Sequence, residues 1–309
     1  VAIGTDKFLL IYFEGQLYDI TPLKTTLTSA TLATTNTSAI CSITTGTNHN
    51  LSVGDIVLLD TVTLPVGTGY VDADFENKLF QVTSITSATV FTITQSTAAT
   101  ATVGTGGSLS VKPYEQVGPA EQSYGYGWGI DTWSSGKWGE AASASDVSLE
   151  PGLWSLSNFG QVLVATIANG KTFTWNAGDA ARLTTRASTA TSGFETTNNP
   201  TATRITLVSP TTRHLIHLGT ETTIGDPTTQ DDMFIRFSDQ EDINDYVPTA
   251  INSAGSQRLQ DGTRIMGALK AKESILVWTD NALYTMKFIG APFTFGFEQV
   301  GTNCGLIGK

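Results

Sequence analysis

Apolar and polar positions alternate along this chain in short runs, and one arrangement of them recurs. An apolar strand is followed by a tight turn and then by a second strand that carries aromatic residues. The recurrences fall at residues 8–20, 162–175, 275–288 and, with a long acidic loop in place of the turn, 214–237. In the second recurrence, Asn169-Gly170 separates the strands, and both residues accept the positive φ angles of a two-residue hairpin turn. The pattern predicts an all-β protein built from hairpins.

The spacing of these hairpins predicts repeated sheets. If Ile11, Val164, Ile216 and Val277 are equivalent positions, the steps between them are 153, 52 and 61 residues. Repeats of about 40–50 residues are typical of propeller blades, which bury their faces against one another around an axis. We therefore predict a β-propeller-like body, with an open β-sandwich as the alternative. Because a closed propeller has about 4–8 blades, closure of this one depends on further sequence or on other subunits.

The long first step indicates an insertion. Between Lys24 and Pro113 the composition shifts to Ser and Thr, with short apolar strands separated by turn residues. Removing residues 25–112 shortens the first step from 153 to 65 residues, close to the other two steps. We predict a small β-barrel or sandwich at 25–112, inserted into a propeller-like body formed by residues 1–24 and 113–309. We expect the body to be part of a longer chain, because both ends of the sequence have strand-like patterns.

Composition and charge narrow the range of functions. The chain has 28 acidic and 17 basic residues, a net charge of −11, and 15% charged residues overall. An acidic chain does not bind nucleic acid by neutralising phosphate charges; a surface that repels DNA would suit a conduit, and solubility alone also explains the charge. Cys41 and Cys304 are too few and too far apart for a disulfide framework. No apolar run approaches the roughly 20 residues that a membrane-spanning helix needs.

Residues that could support catalysis are scarce. The three histidines are His49, His214 and His217, and the last two, three apart in a predicted strand, should point to opposite faces. They therefore cannot form a simple two-histidine metal site. The sequence has no nucleophile elbow, phosphate-binding loop, dinucleotide fingerprint or Cys-x-x-Cys motif. We predict that the protein is not an enzyme and that it has no catalytic residues, no metal and no cofactor.

Two acidic segments remain as candidates for ion binding or hydrolysis. The run from Asp239 to Asp245 could supply the oxygen ligands that calcium prefers, but the glycine that an EF-hand loop requires is absent. We interpret this run as a solvated turn whose carboxylates satisfy local backbone groups. The neighbours Asp231 and Asp232 could cleave glycosides only if the fold held two carboxylates at the right separation. We interpret them as part of a surface loop.

The segment 124–139 contains three of the six tryptophans, interspersed with glycines. Aromatic side chains on a glycine-rich loop can anchor a neighbouring subunit, stack on sugars, or cover one end of the body. We predict an assembly contact, because alternating glycines disfavour a regular strand that would bury the rings. The residues predicted to form this contact are Tyr124, Tyr126, Trp128, Trp133 and Trp138.

The predicted insert resembles a known family of modules. Residues 48–57, 77–82 and 87–93 are similar to small β-barrels of phage tail proteins that are labelled after the first catalytic-cysteine half-domain of ubiquitin-activating enzymes. That family usually has His-Gly-Leu where this chain has His49-Asn50-Leu51, and Asn also tolerates the left-handed backbone of such a turn. The resemblance implies no ubiquitin chemistry, and His49 is interpreted as a turn residue.

The body also resembles a family. Residues 235–242, 252–259, 278–284 and 288–297 are similar to structural proteins of phage tails, such as the nozzle or tail hub of short-tailed phages, and the resemblance extends over about residues 114–309. It implies a virion protein that forms a homo-oligomeric ring, for example a hexamer, around a channel through which DNA passes without specific binding. It also implies a portal or adaptor protein on one side of the ring and tail fibres or spikes on the other.

Two other functions remain open from the sequence. A carbohydrate-binding or carbohydrate-cleaving tail protein would use the Trp-rich segment and the acidic loops. A cellular propeller adaptor would account for the repeats but not for the phage-like insert and C-terminal motifs. Binding to a glycan array, or cleavage of a polysaccharide, would distinguish the carbohydrate hypothesis from a structural role.

Overall fold

The structure is a computed structural model that describes residues 1–118, 152–188 and 199–306. These residues form twenty β-strands and two 3₁₀ helices, Asp72–Asp74 and Pro227–Thr229. No α-helix occurs in the three ranges, and no helix within them is long and apolar enough to cross a membrane. The predicted all-β class is confirmed. The chain divides into two compact units, one formed by Thr21–Gln116 and the other by Val1–Ile20 together with Val117–Lys309.

The larger unit contains, within its described residues, four antiparallel sheets that are each a meander of consecutive strands. The first sheet is β1 (Ala2–Gly4), β2 (Leu9–Phe13) and β3 (Gln16–Asp19). The second is β10 (Trp154–Phe159), β11 (Val162–Ile167) and β12 (Thr172–Asn176). The third is β13 (Thr203–Val208), β14 (Leu215–Thr220), β15 (Phe234–Phe237) and β16 (Gly255–Arg258). The fourth is β17 (Ile265–Lys270), β18 (Ile275–Thr279), β19 (Ala282–Gly290) and β20 (Thr294–Thr302).

The repeat found in the sequence corresponds to these sheets. Ile11, Val164, Ile216 and Val277 each lie on the second strand of their sheet, and all four side chains are buried. The second strand of a meander is flanked by a strand on either side, so its apolar residues lie near the middle of the buried face. The hairpin pattern therefore identifies the part of each sheet that its neighbour covers.

Successive sheets pack on one another through three apolar cores. The first joins the first and second sheets, the next joins the second and third, and the last joins the third and fourth. Representative pairs, one residue from each sheet, are Leu9 with Phe173, Val164 with Leu215, and Ile235 with Val277. Among the described residues, no apolar core joins the first sheet to the fourth. The four sheets are therefore stacked in chain order.

The first strands of the later sheets also lie side by side. Ser155 Oγ on β10 donates a hydrogen bond to the carbonyl oxygen of Thr206 on β13 at 2.8 Å, and the N–H of Val208 donates to Ser157 Oγ at 3.1 Å. Lys270 Nζ on β17 donates to the same Ser157 Oγ at 3.2 Å. Innermost strands of propeller blades are arranged in this way. The stacking agrees with the predicted propeller-like body, whose closure around an axis stays a prediction.

The smaller unit, Thr21–Gln116, is a closed six-stranded antiparallel barrel, so the predicted small β-barrel is confirmed. Its strands are β4 (Leu27–Thr34), β5 (Ile40–Thr44), β6 (Ile56–Thr63), β7 (Lys78–Ser87), β8 (Val90–Thr94) and β9 (Val103–Pro113). Their order around the barrel is β4-β5-β8-β7-β6-β9. Leu32, Ile43 and Phe91 are fully buried in the apolar interior. Closure leaves no unpaired strand edge.

The two ends of the barrel unit lie together. Leu23 pairs with Tyr114 in an isolated bridge, and the N–H of Glu115 donates a hydrogen bond to the carbonyl oxygen of Pro22 at 2.9 Å. The unit therefore extends four residues beyond the predicted limits, 25 and 112, at each end. The strand pattern in the sequence missed these residues because they lie outside the strands of the barrel.

We expect the barrel, expressed alone as residues 21–116, to fold, because its sheet closes on itself and it has its own apolar interior. It should give a β-type circular dichroism spectrum and one cooperative melt. Leu59→Ala, at a fully buried position, should lower the free energy of unfolding by about 2–5 kcal/mol. Val66→Ala, where the side chain is 97% exposed, is the matched control and should change it by less than about 0.5 kcal/mol. A disordered spectrum would contradict the expectation.

Candidate functional site

The aromatic residues predicted to form an assembly contact lie outside the described residues. Tyr124, Tyr126, Trp128, Trp133 and Trp138 belong to the stretch 119–151. The described residues that flank this stretch lie next to each other, because a Cβ built on Gly152 would lie 2.7 Å from the Cα of Gly118. The long first step between repeats contains this stretch in addition to the barrel.

The acidic run from residue 239 to 245 satisfies its own backbone. Oδ1 of Asp239, Asp242 and Asp245 each accepts a hydrogen bond from a backbone N–H one or two residues further along, at 2.8–3.1 Å. Glu241 forms an ion pair with Arg213 at 2.9 Å. No group of three or more potential metal ligands occurs among the residues that the structure describes. These contacts support the interpretation of the run as a turn.

The neighbouring carboxylates Asp231 and Asp232 each face a different arginine. Asp231 Oδ2 lies 2.6 Å from Arg258 Nε on β16, and Asp232 Oδ2 lies 3.6 Å from Arg204 Nη1 on β13. Asp231 Oδ1 also accepts a hydrogen bond from the N–H of Met233 at 2.9 Å. The two carboxylates therefore fasten the loop before β15 to two strands of its sheet. They do not form an isolated acidic pair.

His214, Ser253 and Asp239 form the cluster that is most similar to an activated serine nucleophile. The sequence did not indicate this cluster. His214 Nε2 lies 3.0 Å from Ser253 Oγ, and Ser253 Oγ also contacts Asp239 Oδ1 and the N–H of Gln240. His214 Nδ1 lies 2.6 Å from Thr212 Oγ1. Ser253 is far from His214 in the chain and lies in a loop without a recognisable motif. Only the pairing of β14, β15 and β16 brings the two side chains together.

The direction of these hydrogen bonds argues against nucleophilic catalysis. An activated serine donates its proton to a histidine, and a carboxylate holds the other ring nitrogen of that histidine. Here Ser253 donates to the Asp239 carboxylate, so the Nε2–H of His214 donates to Ser253, and Nδ1 accepts from Thr212. Burial lowers the pKa of His214 to about 4, which keeps the ring neutral. Ser253 therefore bridges a structural network that fixes the acidic run.

His217, on β14, points to the opposite side of the third sheet from His214, which directly precedes that strand, in agreement with their spacing. Its Nε2 is 3.0 Å from Tyr246 OH and its Nδ1 is 3.2 Å from Thr203 Oγ1. Burial, together with the charge of Arg236, lowers the pKa of His217 to about 3. Burial also raises the pKa of Tyr246 well above its ordinary value. Both rings are neutral at physiological pH and serve as hydrogen-bonding groups of the core.

A buried carboxylate, that of Glu221, directly follows β14 of the third sheet. Glu221 is fully buried, and its carboxylate accepts hydrogen bonds from the N–H groups of Thr201, Ala202 and Gly225 at 2.6–2.7 Å. Arg236 Nη2 donates to the carbonyl oxygen of Thr222 at 2.8 Å. A buried charge is tolerated only when it has such partners. This carboxylate therefore holds two loop segments, at residues 201–202 and at Gly225, beside the sheet.

His49 is a turn residue in the barrel, as the sequence suggests. Its Nδ1 accepts a hydrogen bond from the N–H of Leu51 at 2.9 Å, and its Nε2 lies 3.0 Å from the carbonyl oxygen of Ser87. Its ring packs edge-on against Phe91. Asn50 has a φ of +48°, a left-handed conformation that Asn tolerates better than most residues. The turn predicted at this position is therefore compatible with Asn50.

Comparison with known proteins does not assign the chain to a family. No family model matches the sequence, and no curated protein matches it. Among solved structures, the phage phi92 endosialidase is 14% identical with a TM-score of 0.26, over 97% of this chain and 46% of that one. The chain thus corresponds to less than half the length of that protein. A TM-score this low does not establish a shared fold, so nothing about function follows from it.

We expect acid to destabilise the larger unit through its two buried histidines. Their pKa values, about 4 for His214 and about 3 for His217, lie below the ordinary 6.5. Between these values the unfolded chain binds more protons than the folded chain. The contribution of each histidine to stability is therefore complete above about pH 6.5 and is lost as the pH falls toward the folded pKa. Within that window each should shift the unfolding equilibrium by about tenfold per pH unit.

The measurement is urea denaturation of the wild type and of His217→Gln between pH 7 and pH 4. The variant should show a pH dependence weaker by about one bound proton. Thr203→Val removes a hydrogen-bond partner of His217 but keeps the ring, so it should lower stability while leaving the pH dependence in place. Equal pH dependence in the wild type and in His217→Gln would contradict the assignment.

Proposed function

We propose that this protein is a structural component of a bacteriophage tail, part of the nozzle or hub. The observation that carries the proposal is that, among the described residues, the side chains best suited to chemistry are used by the fold. His214, Ser253 and Asp239 form one network, and the acidic segments bond to their own backbone or to arginines. The resemblance of both the body and the barrel to phage tail proteins supports a place in the tail.

In this proposal the chain forms a homo-oligomeric ring, for example a hexamer, around the channel through which DNA is ejected. The net charge of −11 supports passage of DNA without specific binding, because an acidic wall does not retain phosphates. A portal or adaptor protein would contact one side of the ring, and tail fibres or spikes would contact the other. The protein would act without catalysis, metal or cofactor.

The Trp-rich segment 124–139 is the proposed assembly contact. The adjacency of Gly118 and Gly152 supports this, because the sheets on either side can meet without help from the residues between. Tyr and Trp offer large apolar contact area at low entropy cost, which is why interfaces favour them. The same rings would serve the alternative, a carbohydrate-binding or carbohydrate-cleaving tail protein, because aromatic rings also stack on sugars.

We expect Trp128→Ala combined with Trp133→Ala to block assembly without lowering the melting temperature. Truncating a central interface tryptophan typically costs more than about 2 kcal/mol of binding. Trp175→Ala is the matched control, because the Trp175 indole is 6% exposed and donates to the carbonyl oxygen of Arg182 at 3.0 Å. That control should lose about 3–5 kcal/mol of folding stability. Thermal melts and sedimentation velocity measure the two effects.

Other results with the Trp128→Ala, Trp133→Ala double variant, or with the wild type, would contradict the assembly contact or favour the carbohydrate alternative. Early melting would show that the rings belong to the core and would overturn the contact. Normal assembly with lost binding on a glycan array would favour the carbohydrate alternative. Polysaccharide cleavage by the wild type would contradict a non-enzymatic role.

We expect the protein to be found in the tail of the intact particle. Gold-labelled antibodies raised against the barrel, residues 21–116, should mark the tail in electron micrographs of purified phage, and an antibody against a capsid protein is the control. Labelling of the capsid alone, or absence of the chain from purified particles, would exclude the proposed role.

A further inference from the structure

Exposed large apolar side chains of the larger unit lie both on strands and on the connections between strands. Those on strands belong to the first and fourth sheets, each covered by a neighbour on one face; the described strands of the second and third sheets expose none. Among the described connections within the four sheets, only β15–β16 and β19–β20 expose large apolar side chains. Surface connections are ordinarily polar, so these two call for a separate explanation.

The two connections each join the third strand of a sheet to its fourth, and each carries apolar residues at its tip. On the β15–β16 connection they are Val247 and Ile251, and Ile251 is 98% exposed. Around the β19–β20 turn they are Phe288, Ile289 and Phe293, and Phe293 is 73% exposed. Single exposed apolar side chains are ordinary, whereas several in one place mark an interaction site. We call these five residues the tip patch.

The buried ring of His214 joins the two tips. Ser253 Oγ, two residues after Ile251, lies 3.0 Å from His214 Nε2. The ring centroid of Phe288 lies 6.0 Å from that of His214. Because both connections contact one buried side chain, their tips lie close together. The tip patch is therefore one surface built from the connections of two adjacent sheets.

Side-chain hydrogen bonds fix the β15–β16 tip. Asn252 Nδ2 donates to Asp245 Oδ2 and to the carbonyl oxygen of Val247, both at 2.8 Å. The N–H of Thr249 donates to Asn252 Oδ1 at 2.8 Å. A loop that is ordered before binding loses little conformational entropy when it binds. The tip is thus prepared to contact a partner without rearranging.

The rim of the tip patch is acidic. Residues 238–254 include no lysine, arginine or histidine, and their four carboxylates belong to Asp239, Glu241, Asp242 and Asp245. Glu241 is paired with Arg213, which leaves the other three. The charged residues of the β19–β20 hairpin, Lys287 and Glu298, point to the opposite face of the fourth sheet from Phe288. They therefore do not neutralise the carboxylates beside the patch.

We infer that the tip patch binds a second protein whose apolar recess is rimmed by lysine and arginine side chains. Aromatic and aliphatic residues are typical of the centre of a protein interface, and a basic rim complements the carboxylates of the β15–β16 connection. The inference rests on the proposed function, because the partner is sought among the other proteins of the phage particle.

Other occupants meet the acidic rim less well. Nucleic acid is repelled by the carboxylates, and so is a second copy of the chain, with its net charge of −11. Insertion of the tips into a bilayer would take the neighbouring carboxylates out of water without pairing them. A basic protein surface both covers the apolar side chains and pairs the charges.

The first test captures the partner with a photoreactive residue in the full chain. On irradiation of purified phage, Phe293→p-benzoylphenylalanine should cross-link to one other virion protein, at a peptide that contains or adjoins lysine or arginine. Val66→p-benzoylphenylalanine, on the barrel, is the control and should not give that product. A cross-link to a second copy, to DNA or to lipid, or no cross-link, would overturn the inference while tail labelling by antibody leaves the proposed function standing. Absence of the chain from the particles would overturn both.

The second test measures the affinity of the purified chain for the cross-linked protein. Ile251→Ser should weaken binding at least about thirtyfold, the loss typical of a central interface residue, and should leave the melting temperature unchanged because the side chain is exposed. Val66→Ser, at a loop position that is 97% exposed, is the matched control and should bind like the wild type. Normal binding by Ile251→Ser would contradict the inference.

The acidic rim has its own measurement. Added salt should weaken binding of the wild type, because it screens the attraction between the carboxylates and the basic rim. Asp242→Asn removes one charge but keeps the oxygen that accepts the N–H of Asn244, so this variant should bind more weakly and depend less on salt. Affinity that does not change with salt, or a salt dependence equal in the two proteins, would show that the partner has no basic rim.

Discussion

A β-sheet in the larger unit has two faces, and neither can be buried by the sheet itself. Apolar packing between successive sheets supplies the missing cover, and the rest of the body depends on it. The four equivalent positions, Ile11, Val164, Ile216 and Val277, are buried because each lies on the second strand of its sheet and faces a neighbour. The same requirement explains why the two middle sheets are free of exposed large apolar residues in their strands while the end sheets are not.

Two buried histidines and a buried glutamate lie at the third sheet of the stack. His214, directly before β14, and His217, on β14, point to opposite sides of the third sheet, and each has hydroxyl partners on both ring nitrogens. Glu221 is surrounded by backbone donors. Buried polar groups that are fully bonded specify one arrangement of the loops around them, whereas an unpaired one would cost stability. In this protein, histidine, serine and glutamate side chains hold the loops of the third sheet in place. The same residue types form active sites in many enzymes.

The connection between the first and second sheets contains the barrel, whose two end segments pair with each other at Leu23 and Tyr114. When the ends of an inserted domain are adjacent, the flanking sheets can pack as if it were absent. Gly118 and Gly152, further along the same connection, also lie next to each other. The sequence revealed the barrel through its composition and spacing. The closeness of Gly118 and Gly152 could not be predicted from the sequence, because it is a long-range contact.

The sequence by itself determined the all-β class, the hairpins, the small barrel and the left-handed turn at Asn50. These follow from alternation of apolar residues and from turn residues, which are local properties of the chain. It also placed His214 and His217 on opposite faces, since two residues three apart in a strand cannot share one. Only the tertiary structure decided that Ser253 meets His214 and Asp239, that Asp231 and Asp232 face different arginines, and which faces of the sheets stay uncovered. Those contacts join residues far apart in the chain, and the order and pairing of strands, not the local pattern, bring them together.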